Sequence, residues 1–375
     1  MSDNASGLWS PLNRLLEEGF QQGVYTAATA VVGLGREKLW EAAAGRVSLD
    51  PEAAAATLAT VFDLASLTKP LATALALMLL TARGKFTPET TLGEVLQEEW
   101  LPPDKRGLSL RSLLAHQAGL PAWRPFYEQI LAAPQPDRPG LAARLAAVEP
   151  LEYPAGAQTL YSDLGYMLLQ AVVKTAAGLD LDSFCRREIY RPLGLPLLGF
   201  CPRQQPGGDS LTFAASEEGL IPGRNIFGEV HDENAWAGGG VAGHAGLFGA
   251  AGEVWQLLAA LYRAYLGEET GPFSPAMVRL FLTPVPGGSR TLGFDTPGPN
   301  HSQSSPGRYF SPRSVGHLGF TGASFWLDLE SGQMVILLTN RVHLGRDDKS
   351  KIQSFRPRFH EAASKALGFG IRFRQ

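Results

Sequence analysis

The chain of 375 residues is long for one compact core, and a prior of about 150 residues per domain predicts roughly two domains. Its net charge of −3 provides no basic field for nucleic acid or an anionic membrane, so the expected partner is a small neutral or mildly polar molecule. The two cysteines, Cys185 and Cys201, are too few for a disulfide framework and lack the spacing of a metal site, although a single bridge between them stays open.

The N-terminal segment shows no basic start followed by an apolar run, so it does not resemble a secretory signal and we expect a cytoplasmic protein. The most apolar window, residues 71–80, is about half as long as a membrane-spanning helix needs to be. We therefore predict no membrane span, and a buried core helix at this position.

The predicted elements change character along the chain. Apolar positions at helical spacing over residues 8–21 predict an amphipathic helix, and two strands around a Gly33-Leu34-Gly35 turn predict a hairpin. Helix-length segments separated by Gly and Pro then follow as far as about residue 202. Residues 314–342 predict three successive strands, and a last helix is predicted at roughly 349–367.

Strands at both ends with helices between them predict an α/β protein of the α+β type, with an antiparallel sheet flanked by helices and an inserted all-helical domain. The α/β domain is expected at residues 1–75 and 204–375, and the helical domain at 76–203. The cleft between them is the expected place for a binding site.

The quartet Ser66-Leu67-Thr68-Lys69 lies at the N-terminal start of the apolar helix, and Pro70 marks its first turn. Residues three apart share one face of a helix, so Ser66 and Lys69 are expected on the same side. One interpretation is a capping Ser66 and a solvated Lys69. However, a cation is unfavourable at a helix N-terminus, and the segment that follows has no polar face. We therefore expect a partly desolvated Lys69, whose lowered pKa suits a base or a proton carrier for Ser66.

Two further motifs follow along the chain. Tyr161-Ser162-Asp163 precedes a predicted helix, where Ser162 or Asp163 could simply cap the helix and Tyr161 could simply pack. Residues 316–319, Gly-His-Leu-Gly, lie on a predicted strand. Glycines there could mark a bulge, or they could let a substrate backbone lie against the strand.

The order of these three motifs resembles that of the serine β-lactamase and penicillin-binding-protein superfamily. The similarity is closest to the branch of class C β-lactamases, D-alanyl-D-alanine carboxypeptidases and family VIII-type esterases. It covers the chain from about residue 25 to residue 342, through the segments LRSLLAHQAGLPAW, YSDLGYMLLQ, IYRPLGL, GEVHDENAWAGGGVAGHAGLFG, GHLGFTGASFWLD and LLTNRVH.

The resemblance implies an acyl-enzyme mechanism. Ser66 would attack a carbonyl carbon, and Lys69 and Tyr161 would relay its proton to the leaving group. The backbone amides of Ser66 and Phe320 would bind the oxyanion, with His317 and Gly319 as supporting residues on the strand. The resemblance implies no metal and no organic cofactor.

The sequence departs from the family pattern at two places. Asp163 stands where most members have asparagine. An ionised carboxylate only accepts hydrogen bonds, and it would hold Lys69 as the cation. A charged Lys69 favours Tyr161 as the base. His317 is mostly neutral at pH 7 and Leu318 has no hydroxyl, so a substrate carboxylate would lose part of its anchor unless Arg341 or another basic residue replaced it. The second departure favours an ester or an uncharged amide.

Other motifs favour structural roles. Residues 238–243 fit G-x-G-x-x-G but follow no hydrophobic strand, so a loop lining the cleft is expected in place of a dinucleotide site. His231, Asp232 and His244 lack the spacing of a metal site, and His116 is expected to be a structural, hydrogen-bonded histidine.

The sequence therefore predicts a serine hydrolase that cleaves a carboxylic ester or amide through an acyl-Ser66 intermediate. β-Lactamase and D-alanyl-D-alanine carboxypeptidase activities are the alternatives within the family. The expected substrate is therefore a small-molecule ester, amide or β-lactam. A non-catalytic penicillin-recognising sensor is the alternative of another class. The presence of Ser66, Lys69 and Tyr161 together counts against the sensor.

Overall fold

The strands of the computed structural model form two sheets within the described residues, which are 3–134, 138–219, 223–269, 271–298 and 304–369. In chain order the strands are β1 (Ala27–Leu34), β2 (Glu37–Gly45), β3 (Phe62–Asp63), β4 (Gly199–Phe200), β5 (Leu247–Gly249), β6 (Ser314–Leu318), β7 (Ser324–Asp328) and β8 (Gln333–Thr339).

The larger sheet has the order β2-β1-β8-β7-β6, and the pairings within it are antiparallel. Its two halves come from opposite ends of the chain and join where β1 pairs with β8, with Ala28 opposite Thr339 and Leu34 opposite Gln333. The prediction of one antiparallel sheet built from both termini is confirmed.

The predicted position of the first turn is wrong. Gly33 and Leu34 belong to β1, and the chain reverses at Gly35, which has a φ of +61°. A side chain at Gly33 would collide with the indole of Trp255, so this glycine serves close packing, and the glycine two residues later provides the left-handed conformation that the turn needs.

The helices lie mainly between β3 and β5 and at the two termini. They are α1 (Asp3–Gln21), α2 (Leu75–Ala82), α3 (Leu92–Val95), α4 (Pro103–Arg106), α5 (Leu110–Leu114), α6 (Tyr127–Ala132), α7 (Arg138–Val148), α8 (Asp163–Ala177), α9 (Leu181–Cys185), α10 (Glu233–Ala237), α11 (Ala251–Tyr265), α12 (Pro275–Leu282) and α13 (Ser350–Ala366). The predicted first and last helices correspond to α1 and α13. The division into domains at residues 76 and 204 stays a prediction.

Helices cover both faces of the larger sheet. On one face α1 and α13 pack against each other and bury aromatic side chains such as Trp40, Trp326 and Phe359. On the other face α11 packs on β1 and β8, and the apolar core continues through α2 and α8. Because each face is buried, β8 is buried along its whole length and is apolar between its two ends, Gln333 and Thr339.

The apolar helix predicted at residues 71–80 is a core helix. It begins with a π-helical turn at Lys69–Ala74 and continues as α2, and the side chains from Lys69 to Leu80 are buried. Within the described part of the chain, Ala65–Ala82 is the one stretch that passes a length and hydropathy test for a membrane span, and 83% of it is buried inside the protein, as expected of a core helix. Cys185 and Cys201 are both free thiols.

Candidate active site

Ser66 lies on a strained turn between β3 and the core helix. The preceding residue, Ala65, has a φ of +48°, an unfavourable conformation for a residue with a Cβ atom. Two hydrogen bonds hold this conformation: the Ala65 amide donates to Asp63 Oδ1 at 2.8 Å, and Thr68 Oγ1 donates to the Ala65 carbonyl at 2.6 Å. The turn presents the Ser66 side chain to a pocket, and no capping hydrogen bond of Ser66 is observed at the helix start.

Lys69 is fully buried directly beneath Ser66. Its Nζ donates to Ser66 Oγ at 3.1 Å and to the carbonyl of His244 at 3.1 Å. The same Nζ lies 2.7 Å from Asp163 Oδ1 and 4.7 Å from the centre of the Tyr161 ring. The structure therefore brings Ser66, Lys69, Tyr161 and Asp163 together, although about a hundred residues separate the two pairs in sequence.

The protonation states follow from burial and charge. Burial alone would lower the pKa of Lys69, but the Asp163 carboxylate and the Tyr161 hydroxyl outweigh it, so the pKa is raised above 10.5. Burial raises the pKa of Tyr161 above 10 despite opposing interactions with Lys69 and Ser66. At neutral pH Lys69 is thus a cation and Tyr161 a neutral phenol.

Helix α8 positions Tyr161 and Asp163. Ser162 caps this helix by accepting a hydrogen bond from the Gly165 amide at 3.4 Å, and its hydroxyl donates to the carbonyl of Pro121 at 2.6 Å. His116 Nδ1 accepts a hydrogen bond from the Ser162 amide at 3.0 Å, and its ring lies 4.6 Å from that of Tyr161. Burial holds the pKa of His116 well below its usual value, so His116 orients the tyrosine as a neutral acceptor, which is a structural role.

The C-terminal end of β6 forms the opposite wall. Gly319 lies against the backbone just before Ser66, where a Cβ atom would stand 2.9 Å from the carbonyl oxygen of Leu64. This close approach brings the turn that carries Phe320 beside the Ser66 turn. His317 is buried, and burial together with the nearby Lys69 holds the pKa of His317 well below its usual value. A neutral His317 provides no charge for a substrate carboxylate.

The pocket above Ser66 has a volume of about 370 Å³. Its lining residues are Ala65, Ser66, Trp123, Tyr161, Asp163, His231, Asp232, Glu233, Ala245, Phe320 and Arg346. A larger pocket of about 610 Å³ lies beside α7 and α8 and contains no residue of the Ser66, Tyr161 or His317 motifs. The chemistry therefore belongs to the smaller pocket.

The guanidinium groups beside this pocket already have partners. Arg346, which the sequence did not suggest, donates to Glu217 at 2.7 Å and to Glu233 at 2.8 Å, and its Nη2 lies 3.3 Å from His231 Nε2. Arg341 donates to the Phe320 carbonyl at 2.9 Å and to carbonyl oxygens of residues 345–348, so it does not line the pocket. Among the described residues that line the pocket, the one lysine or arginine is Arg346, and it is paired with two glutamates.

Asp63 is a second residue that the sequence did not suggest. Its Oδ2 accepts a hydrogen bond from the His231 amide at 2.7 Å, and its carbonyl accepts one from Thr321 Oγ1 at 2.9 Å. Together with the Ala65 contact, these bonds tie the Ser66 turn to two other walls of the pocket. The sequence feature that comes nearest to identifying Asp63 is its position, as an acidic residue three positions before the serine of the S-x-x-K motif.

The glycine-rich loop contributes its end to the site. The carbonyl of His244 binds Lys69, and His244 Nε2 lies 2.9 Å from Asp232 Oδ1. Gly238 and Gly239 face the larger pocket instead, so only the end of the predicted cleft loop reaches Ser66. Across the described ranges of the chain, no three His, Cys, Asp or Glu side chains are grouped to hold a metal ion.

Comparison with known proteins places the chain in a family. The Beta-lactamase family profile matches residues 12–354. A protein of Escherichia coli K12 named "Putative D-alanyl-D-alanine carboxypeptidase" is 33% identical over 316 residues, which are 79% of this chain and 72% of that protein. The N-acetylmuramyl-L-alanine amidase of Bacillus subtilis is 33% identical over 304 residues, 76% of this chain and 68% of that protein.

Solved structures share the fold at lower identity. EstCE1, described as a hydrolase with promiscuous acyltransferase activity, has a TM-score of 0.70 at 20% identity and covers 95% of this chain and 100% of its own. A penicillin-binding protein homologue from Caulobacter crescentus has a TM-score of 0.72 at 18% identity, over 96% and 98% of the two chains. The chain belongs to the Beta-lactamase family and is a hydrolase of the serine β-lactamase-like superfamily.

Proposed function

We propose that this hydrolase cleaves a carboxylic ester or an uncharged amide through an acyl intermediate on Ser66. The contact that carries the proposal is the hydrogen bond of 3.1 Å between Ser66 Oγ and the buried ammonium of Lys69. A serine on a strained turn, exposed to a pocket and in contact with a buried cation, has the environment of an activated nucleophile.

Two backbone amides support a site for the oxyanion. The amides of Ser66 and Phe320 belong to turns that meet at the Gly319–Leu64 contact, and both residues line the pocket. Neither amide donates to another residue in the part of the chain that the structure describes. Two free amides beside a nucleophile can stabilise the negative oxygen of a tetrahedral intermediate.

The proton relay starts from a charged Lys69 and a neutral Tyr161. Lys69 can accept the Ser66 proton only as it releases one of its own, and Tyr161 interacts with both side chains. Lys69 therefore keeps its protons in the proposed relay: the Tyr161 oxygen takes the Ser66 proton while the Tyr161 hydroxyl proton goes to the leaving group, and the Lys69 cation stabilises the negative charge that develops on the two oxygens. No group has to lose its proton before the substrate binds.

The charges of the pocket favour a substrate without a carboxylate near the cleaved bond. A carboxypeptidase substrate presents a terminal carboxylate, and Arg346, the one lysine or arginine among the described residues that line the pocket, is already bound to Glu217 and Glu233. An amide whose leaving amine carries no carboxylate needs no such anchor. Of the activities named for the two curated relatives, the pocket therefore favours amide cleavage over carboxypeptidase activity.

A substrate panel tests the proposal, with wild type and Ser66→Ala compared on p-nitrophenyl butyrate, N-acetylmuramyl-L-alaninamide, a chromogenic cephalosporin and a D-alanyl-D-alanine peptide. We expect wild type to cleave the ester or the amide at least tenfold faster than the last two substrates, and Ser66→Ala to be inactive. Dominant cephalosporin or peptide turnover would overturn the substrate preference. No turnover of any substrate, with no adduct of a fluorophosphonate on Ser66, would indicate the non-catalytic sensor.

A further inference from the structure

We infer that Arg356 is a positioning residue for the oxyanion site, acting through the peptide unit that joins Gly319 to Phe320. The inference rests on the proposed function, because the Phe320 amide matters only if an oxyanion forms at Ser66. Arg356 lies on α13, on the far side of the turn from the pocket, and does not line it.

The guanidinium of Arg356 is committed to this turn. Its Nη2 donates to the carbonyl of Gly319 at 2.7 Å and to that of Ala323 at 2.9 Å, and its Nε donates to that of Gly322 at 3.0 Å. Arg356 is 7% exposed, and among the described residues no carboxylate lies within ion-pair distance of it. The positive charge is thus directed at backbone carbonyls alone.

The Gly319 carbonyl and the Phe320 amide are two ends of one planar peptide unit. A hydrogen bond to the carbonyl therefore fixes the direction in which the amide hydrogen points. A cationic donor also draws electron density from the carbonyl oxygen and makes the amide a stronger donor, because hydrogen bonds along a chain polarise one another. Arg356 performs both tasks for Phe320.

The second amide of the site has a similar support. The Ser66 amide belongs to the peptide unit whose carbonyl is that of Ala65, and this carbonyl accepts a hydrogen bond of 2.6 Å from Thr68 Oγ1. Each amide proposed to bind the oxyanion therefore has a side-chain donor on the opposite end of its peptide unit. The donor is neutral on the Ser66 side and cationic on the Phe320 side.

The neighbouring carbonyl is also bound by an arginine, since Arg341 Nε donates to the Phe320 oxygen at 2.9 Å. Burying a guanidinium without a carboxylate is costly, because an unpaired charge loses its hydration. Burial lowers the pKa of Arg356 to about 9, which still leaves it charged at neutral pH. A buried charge with this set of acceptors is better suited to orienting the turn than to anchoring α13 alone.

The test compares Arg356→Met and Arg356→Lys with Arg186→Met. Arg186 is the control, since it also donates to a backbone carbonyl, that of Phe200 at 2.7 Å, but it is paired with Asp182 and does not touch the turn. Each folded variant is assayed for kcat and KM on p-nitrophenyl butyrate, for the Ki of phenylboronic acid, which forms a tetrahedral adduct with a reactive serine, and for thermal stability.

We expect Arg356→Met to lower kcat about 10- to 100-fold with KM changed less than about threefold, and to weaken boronate inhibition by a similar factor. Arg356→Lys, which keeps the charge, should recover part of both losses, and Arg186→Met should resemble wild type. Folded Arg356 variants with wild-type kcat and Ki would overturn the inference. If Arg356→Met does not fold, Arg356→Lys alone decides, because its single nitrogen cannot reproduce the three contacts and both constants should worsen.

The failure of this inference can be separated from failure of the proposed function. If Ser66→Ala keeps wild-type ester activity, the proposed function is wrong and the role of Arg356 falls with it. If Ser66 is required but the Arg356 variants behave like Arg186→Met, only the positioning role is wrong.

Discussion

Lys69 Nζ lies 2.7 Å from Asp163 Oδ1, inside the protein where the Lys69 side chain has no exposed surface. A buried lysine without a partner would lose its proton easily, because burial disfavours the charged form. The Asp163 carboxylate reverses that tendency and keeps the pKa of Lys69 above its usual value. This ion pair sets the charge state in which Ser66 meets its substrate.

Replacing Asp163 by asparagine should lower the pKa of Lys69. Burial would remain while the carboxylate that opposes it is lost, so the pH at which Lys69 deprotonates should move down from the alkaline range toward neutral. In a profile from pH 6 to 11, we expect the kcat/KM of wild type to stay level up to about pH 10. The kcat/KM of Asp163→Asn should begin to change at a pH that is at least one unit lower. Asp209→Asn, at a side chain that is 90% exposed, is the control. An unchanged alkaline limb in Asp163→Asn would contradict the role of the ion pair.

Removing the Tyr161 hydroxyl should slow the chemical step. Phenylalanine keeps the ring against Lys69 and His116 but cannot pass a proton to the leaving group. We expect Tyr161→Phe to lower kcat by about 10²- to 10⁴-fold on an anilide or alkyl ester whose leaving group needs a proton. A smaller loss is expected on p-nitrophenyl esters, whose leaving group needs little help. A Tyr161→Phe enzyme as active as wild type on both substrates would exclude the relay.

A methyl group at Gly319 should separate the two turns of the active site. The added Cβ would stand 2.9 Å from the Leu64 carbonyl, which is backbone and cannot move freely. We expect Gly319→Ala to lower kcat at least about tenfold, because the Phe320 amide would shift away from the oxyanion. Gly252→Ala is the matched control, since a Cβ there meets no atom within 4 Å. Equal activity of the two variants would show that the close approach is not needed.

Stability should fall as the pH drops below about 6.5. His360 is fully buried between the Ser324 hydroxyl and the Ser305 carbonyl, and burial lowers its pKa to about 4. The unfolded chain therefore binds a proton at a pH where the folded chain does not, and this favours unfolding between pH 6.5 and 4. From pH 6.5 to 5, we expect His360 alone to remove about 2 kcal/mol of the free energy of unfolding.

Urea unfolding across that pH range measures the effect. His360→Gln should show a shallower loss of stability than wild type, although other buried histidines such as His116 and His317 will keep part of the slope. Ser364→Ala removes a hydrogen bond of 2.9 Å to the His360 carbonyl without removing the titrating ring, so it should keep the full slope. Identical slopes in the three proteins would rule out His360 as a source.

The residues of the three motifs could be identified from the sequence because each motif has a fixed spacing and a chemical reason. The serine and lysine share a helix face, and an apolar helix leaves the lysine only buried surroundings. The desolvation of Lys69 was predictable in this way, and so was the opposing effect of Asp163. The antiparallel sheet built from both ends was also predictable, because strand-length segments and turn residues mark strands at both ends of the chain.

Contacts between distant segments could not be predicted from one sequence. Arg356 and Arg346 belong to segments that look like ordinary charged surface. Only the folded chain shows that Arg356 binds the turn after β6 and that Arg346 binds two glutamates. The small sheet of β3, β4 and β5 has strands of two or three residues, too short to show a periodic pattern. The left-handed Ala65 has no signal in the sequence, because glycine is the residue expected in that conformation.

Trapping the acyl intermediate tests the central claim most directly. Wild type and Ser66→Ala are mixed with excess p-nitrophenyl butyrate, quenched in acid within the first turnovers, digested and examined by mass spectrometry. The proposed function predicts a butyryl group on the wild-type peptide that contains Ser66, and neither this adduct nor turnover in Ser66→Ala. Turnover by Ser66→Ala at the wild-type rate, or a butyryl group that accumulates on another residue in step with turnover, would contradict it.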